Sequence, residues 1–353
     1  VIYNGATGNI DAWTKKSAYF LSDDASRDVT LINRGNINLY GEGSVGIFSQ
    51  SNPQDFNLQF VSSDFSFNTA TNTLTGGSFK PITIYGDGSA GYYSNKAGTT
   101  TEGNFAVNIG AAGVGNKGFS TNATSAVTGK AETNGTPLTN YDVNSTDTKA
   151  NAKNNPDYIR GSIGIYSETA TNLTSHDINI FDKTEGNVGV LPGANVLLNI
   201  GGGNITINGG STAKDNVGIY IDSSKGGAVK STGDINVNDG LGNLAVVASG
   251  STRPSANTVE VRKINGNNTK NSTIIYADLG ATVKADELNI VNSTIEADAS
   301  TVNKKNAGAV YAKNSGTVVT IDRAAVPSGD NIVITGTKQT DSNNYTGFGL
   351  FAD

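Results

Sequence analysis

Apolar residues recur at alternate positions in short runs, and the runs themselves repeat. One unit reads Asn33-Arg-Gly-Asn-Ile-Asn-Leu-Tyr-Gly-Glu-Gly-Ser-Val-Gly-Ile-Phe-Ser49, and a second reads Ile82-Thr-Ile-Tyr-Gly-Asp-Gly-Ser-Ala-Gly-Tyr-Tyr-Ser94. Each is an alternating strand, a Gly-acid-Gly-Ser turn and a second short strand. Looser copies follow: Ile163-Gly-Ile-Tyr-Ser167; Asp177-Ile-Asn-Ile180 with Val188-Gly-Val190; Asn204-Ile-Thr-Ile-Asn208 with Val217-Gly-Ile-Tyr220; Asp234-Ile-Asn-Val-Asn238 with Leu244-Ala-Val-Val-Ala248; then Thr273 to Ala277, Gly308 to Ala312 and Gly347 to Ala352.

Gly164, Gly189, Gly218 and Ala245 mark successive second strands, roughly 25 to 30 residues apart, the length of one solenoid turn of about three short strands. The pattern therefore predicts an all-β parallel β-helix of about ten to thirteen rungs, right-handed by the usual sterics of crossover connections. In each Ile-x-Ile triplet two side chains face one way and one the other. Ile37, Leu39, Ile82, Ile84, Ile178, Ile180, Ile205, Ile207, Ile235 and Val237 should stack in an inward ladder. Asn38, Thr83, Asn179, Thr206 and Asn236 should face outward, and stacked asparagines can form amide ladders between rungs. Gly41, Gly43, Gly86 and Gly88 fall at the corners, where a chain commonly needs positive φ.

The whole of residues 1–353 reads as one solenoid segment with two interruptions. Ser51 to Lys80 keeps an alternating pattern around Phe56–Val61 and Phe65–Phe67, which predicts further rungs or a flanking hairpin. Thr121 to Arg160 is polar and lacks apolar periodicity, as an extended loop insertion would. Loops on a rigid scaffold are where binding groups concentrate. Tyr141 and Tyr158 stand there beside Asp142 and Asp157, an aromatic-and-acid combination suited to sugar or protein surfaces. These four residues are the candidate ligand contacts; the competing reading is that each tyrosine pins the loop to the solenoid wall.

Composition narrows the chemistry. With no Cys there is no disulfide, thiol nucleophile or cysteine metal cluster. The net charge of −6 and pI near 4.9 disfavour nucleic acid and anionic lipid as partners. The chain shows neither a signal peptide nor an apolar run long enough to span a bilayer, so direct membrane insertion is not expected, and the absence of Met fits an internal piece of a longer protein. His176, the single histidine, lies in Ser-His-Asp and reads as a surface turn residue, and the acids read mostly as turn residues, so no catalytic constellation is expected. Trp13, the single tryptophan, reads as a partly buried packing residue. Asn238-Asp-Gly-Leu-Gly-Asn243 has a faint likeness to a calcium-binding nonapeptide but stands alone, where such motifs share each ion between tandem turns. No metal or cofactor is expected.

The unit from Asn33 to Ser49 resembles a repeat of the large fusobacterial type V autotransporter adhesins, and the likeness extends with decay to about Ala352. The resemblance implies a passenger segment at the bacterial cell surface, exported through a C-terminal outer-membrane barrel outside this chain; a carbohydrate-active β-helix enzyme (polysaccharide lyase or hydrolase) and a toxin-type autotransporter passenger are the competing readings of the same fold. It implies attachment to a surface protein or glycan of host cells or other bacteria. The family supplies no short ligand motif that maps onto numbered residues here.

Overall fold

A computed structural model describes residues 2–4, 8–14, 16–22, 29–33, 35–49, 58–62, 66–68, 73–75, 80–95, 100–116, 158–222, 226–250, 257–295, 308–322, 332–335, 338–339 and 350–352. These residues form a parallel β-solenoid, with most of them in strands and no α-helix. Two long sheets run the length of the stack, one of thirteen strands and one of ten, and a small three-stranded sheet lies between them at one corner. Ten strands in the second sheet correspond to ten rungs.

A typical rung contributes three segments. Leu197–Gly202 and Ile205–Asn208 both join the thirteen-stranded sheet, and Val217–Ile221 joins the ten-stranded one. In other rungs the first two segments merge into one bent strand, as in Thr171–Phe181 and Asn257–Asn267. The register is that of the alternation in the chain: Ile37 pairs with Ile82, Ile178 with Ile205 and Ile205 with Ile235. All ten residues of the expected ladder are buried. Val107 and Ile109 join it between Ile84 and Ile178, and Ile264, Leu288 and Ile290 extend it beyond Val237. Stacking these side chains at about 4.8 Å per rung removes each from water, worth about 1.5–3 kcal/mol per residue.

The core between the sheets is thin, and residue size is matched across it. A methyl carbon built on Gly46 would lie 2.7 Å from Ile82 Cγ2, and on Gly164 2.9 Å from Ile178 Cγ2. These glycines are there because the facing ladder needs the space. At the corners, Gly43 and Gly88 take positive φ (65° and 61°), whereas Gly41 and Gly86 do not and are instead crowded by backbone.

The corner leading into the second sheet carries a buried polar column. Ser44 N donates to Ser89 Oγ (3.1 Å), Ser89 N to Ser162 Oγ (3.2 Å) and Ser162 N to Asn187 Oδ1 (2.8 Å). Asn187 N then donates to Asn216 Oδ1 and Asn216 N to Asn243 Oδ1, both at 3.0 Å. An amide left unpaired in such a place would cost roughly 1–3 kcal/mol; here each backbone N–H is satisfied by a side chain from the neighbouring rung.

In the segment after residue 51 the described residues show a hairpin, one of the two alternatives, and a parallel pairing outside the two long sheets. Leu58–Ser62 pairs with Val29–Asn33 in a separate parallel sheet, and Ser66–Asn68 with Thr73–Thr75 forms an antiparallel hairpin.

Candidate functional site

The two long sheets present different outer faces. On the thirteen-stranded sheet the outward residues are polar and bond to each other along the stack. Asn179 Nδ2 donates to Asn108 Oδ1 (3.0 Å), Asn265 Nδ2 to Asn236 Oδ1 (2.8 Å) and Asn289 Nδ2 to Asn265 Oδ1 (3.2 Å). Beside them Lys230 and Lys284 flank Glu260, Arg262 meets Asp234 and Lys263 meets Glu287. This face largely satisfies its own charges and amides.

The ten-stranded sheet carries an aromatic ridge instead. Its strands read Val-Gly-Ile-Phe-Ser or similar, and the fourth residue points outward, half-buried. Parallel pairing therefore sets Phe48 on Tyr93, Tyr93 on Tyr166 and Tyr276 on Tyr311. Their ring centroids are 4.9, 5.1 and 5.6 Å apart, with planes within 13° of parallel. Leu191 and Val247 fill intervening rungs. The rings thus stack face to face, with their edges turned outward. The Tyr166 hydroxyl donates to Glu168 Oε1 (2.9 Å) and the Tyr276 hydroxyl to Asp278 Oδ2 (3.2 Å). Burial, reinforced by those carboxylates, pushes both phenols up to about 12.

A second stack stands at the first corner. Trp13 lies on Tyr40 at 4.0 Å and Tyr40 on Tyr85 at 5.1 Å. Trp13 is half-buried, in keeping with a packing role, and burial together with Asp11 pushes the Tyr40 phenol up to about 12.

Of the sequence candidates, Tyr141, Asp142 and Asp157 lie outside the described residues. Tyr158 is placed on the solenoid wall, 7% exposed, with the Arg160 guanidinium 5.4 Å and the Lys214 ammonium 5.2 Å from its ring centre. Arg160 in turn reaches Glu185 at 2.9 Å. The ring is held between cations at the start of a rung, which leaves little of it for a ligand.

His176 differs from the surface turn residue its polar neighbours indicated. It lies inside strand Thr171–Phe181, in register with Phe105, and is completely buried. Its ring sits 6.4 Å from that of Phe105, neither ring nitrogen has a hydrogen-bond partner among the described residues, and burial pushes its pKa down to about 4. The Asn238 to Asn243 segment is a rung corner, where the Asn243 amide donates to the Ala213 carbonyl and its oxygen accepts from Asn216. Asp87 is another corner acid: burial raises it to about 6 although the Arg160 N–H and the Asn116 amide bond its carboxylate.

The aromatic ridge was visible in the chain as Phe48, Tyr93, Tyr166, Tyr220, Tyr276 and Tyr311 at one fixed place in the repeat. The signal that identifies it as a surface is the buried residue immediately before each of them. Chemically, the described surface presents paired amides on one side and aromatic edges with fixed carboxylates on the other. Comparison with protein-family models, with curated proteins and with solved structures finds no match.

Proposed function

We propose that this chain is a passenger segment of a bacterial surface adhesin, a rigid non-catalytic stalk that mediates attachment to host cells or to other bacteria. The observation that carries the reading is the stack itself: among the described residues, ten rungs held by one apolar ladder, six of them also by a buried polar column, with an aromatic ridge outside. Such a scaffold keeps a contact surface at a fixed distance and orientation with little conformational entropy to lose on binding. The partner is a surface protein or glycan, contacted by residues that depart from the repeat. Tyr141, Asp142 and Asp157 are the proposed contact groups of the 121–160 insertion, and Tyr158 is the anchor at its base. In this reading the segment stands at the cell surface, tethered through an outer-membrane barrel elsewhere in a longer protein, as the resemblance of the Asn33 to Ser49 unit to autotransporter adhesins suggests.

Arrays of glycans and purified cell-surface proteins test this reading. The chain should bind a defined subset saturably and release no product from it. Turnover of a bound polysaccharide or peptide, abolished by replacing a single Asp, would overturn it.

A further inference from the structure

Three strands of the ten-stranded sheet share an eight-residue rhythm of base, tyrosine and acid. Arg160 precedes Tyr166 and Glu168, Lys214 precedes Tyr220 and Asp222, and Lys270 precedes Tyr276 and Asp278. The rungs between them carry Leu191 and Val247 at the tyrosine position. The bases stand in one column at the corner entering the sheet, since Arg160 pairs with Glu185, Glu185 with Lys214, and Lys214 through Leu241 with Lys270. The acids stand at the opposite margin, each immediately after its strand or at its last residue. Between the margins run two outward columns. One is the aromatic ridge, and the other holds Val45, Ala90, Ile163, Val188, Val217 and Leu244, half-buried in each case.

The face is therefore an apolar strip with a basic edge and an acidic edge. The basic edge also includes Glu185, bound to Arg160, and Asp215 beside Lys214, so its positive sign is modest. The acidic edge is flanked by Lys313 only one rung beyond Asp278.

We infer that this face associates with the same face of a second copy, the two stacks lying side by side and pointing the same way. Three arguments select that occupant. First, a second solenoid presents an outward side chain at every step of about 4.8 Å, so it stays in register along the whole strip. A globular partner matches only a few rungs. Second, a two-fold axis parallel to the stack lays the basic edge of each copy along the acidic edge of the other, at equal height. Turning the second copy end for end would set acid against acid. Third, the six strands that carry both columns cover roughly 400 Å² per copy, the size of a weak, salt-sensitive association rather than of a permanent interface. The inference does not depend on the proposed adhesive function.

Sedimentation equilibrium of the whole chain tests it. The chain should form dimers that weaken as salt is raised. Asp222→Lys with Asp278→Lys makes both edges basic, and Lys214→Glu with Lys270→Glu makes both acidic. Each pair alone should weaken self-association by roughly tenfold or more, because like charges then face each other. Mixing the two variants, or placing all four substitutions in one chain, should restore it. Circular dichroism checks that each variant keeps its strands. A chain that stays monomeric, single-edge variants that associate like the parent, or a four-fold variant that fails to recover would each overturn the proposal.

Discussion

Gly266 and Ile274 exchange size across the core. Through most of the stack the glycine lies in the ten-stranded sheet and faces an isoleucine of the ladder, as Gly218 faces Ile235. At Ile274 the large residue has moved to the ten-stranded sheet, and the ladder position opposite it is Gly266, in register with Val237. A methyl carbon built on Gly266 would lie 2.8 Å from Ile274 Cδ1.

That relationship predicts coupling. Gly266→Val should destabilise the chain by about 1–3 kcal/mol through overpacking, and Ile274→Ala by about 2–5 kcal/mol through the cavity it leaves. Combining them should cost less than the sum, with a coupling of about 0.5–3 kcal/mol. Urea unfolding of the four members of the cycle measures this, and additivity would show that the two residues do not share space.

The buried polar column predicts a tolerance order. Asn216 accepts from the backbone N–H and side-chain amide of Asn187, and donates to Thr184 Oγ1 and Asn243 Oδ1. Asn216→Leu strips those partners and should cost several kcal/mol, since each buried group left unpaired costs about 1–3 kcal/mol. Asn216→Ser should be milder, because serine already fills the column at Ser44, Ser89 and Ser162. Thermal unfolding of the two variants checks the order.

His176 predicts an acid-side loss of stability. Its folded value of about 4 lies below the ordinary 6.5, so the unfolded chain binds the proton more readily. The neutral ring's contribution is fully present above pH 6.5 and is lost as pH falls from about 6.5 to 4, on the order of 3 kcal/mol in total. Asp87 acts in the opposite sense: its folded value of about 6 exceeds the ordinary 3.8, so the fold gains as pH drops through that window. Comparing the parent with His176→Phe isolates the histidine. The parent should lose stability relative to the variant on acidification, whereas parallel curves would mean that the ring is accessible to protons in the fold.

The ladder was legible because Ile-x-Ile triplets alternate strictly and recur. Val107 and Ile109 were harder to place, since they end a continuous ten-residue strand, Thr100–Ile109, in which two segments of the rung have fused. The burial of His176 is hidden in the sequence for the same reason: Ser-His-Asp has turn composition, but the strand runs through it. Alternation also could not show that the outer face of the second sheet is apolar. There Gly46 and Ile47 are buried in succession, so a strict period of two fails within the strand. Of the candidate contacts, only Tyr158 falls among the described residues, and its cation-flanked burial depends on Lys214, far along the chain.

The 121–160 insertion yields a prediction in two parts. Deleting residues 121–156 should leave the thermal unfolding midpoint nearly unchanged, because so polar a segment has little apolar surface to bury. The same deletion should weaken attachment to target cells. Binding as strong as that of the intact chain would place the contact surface elsewhere on the stack.

The most direct test of the adhesive stalk is attachment of inert beads coated with the intact chain. Beads should adhere to epithelial cells or to partner bacteria above a coat of unrelated β-solenoid, and soluble chain should compete them off at saturating concentration. Beads that adhere no better than the control coat on any surface, with the strands intact by circular dichroism, would contradict it.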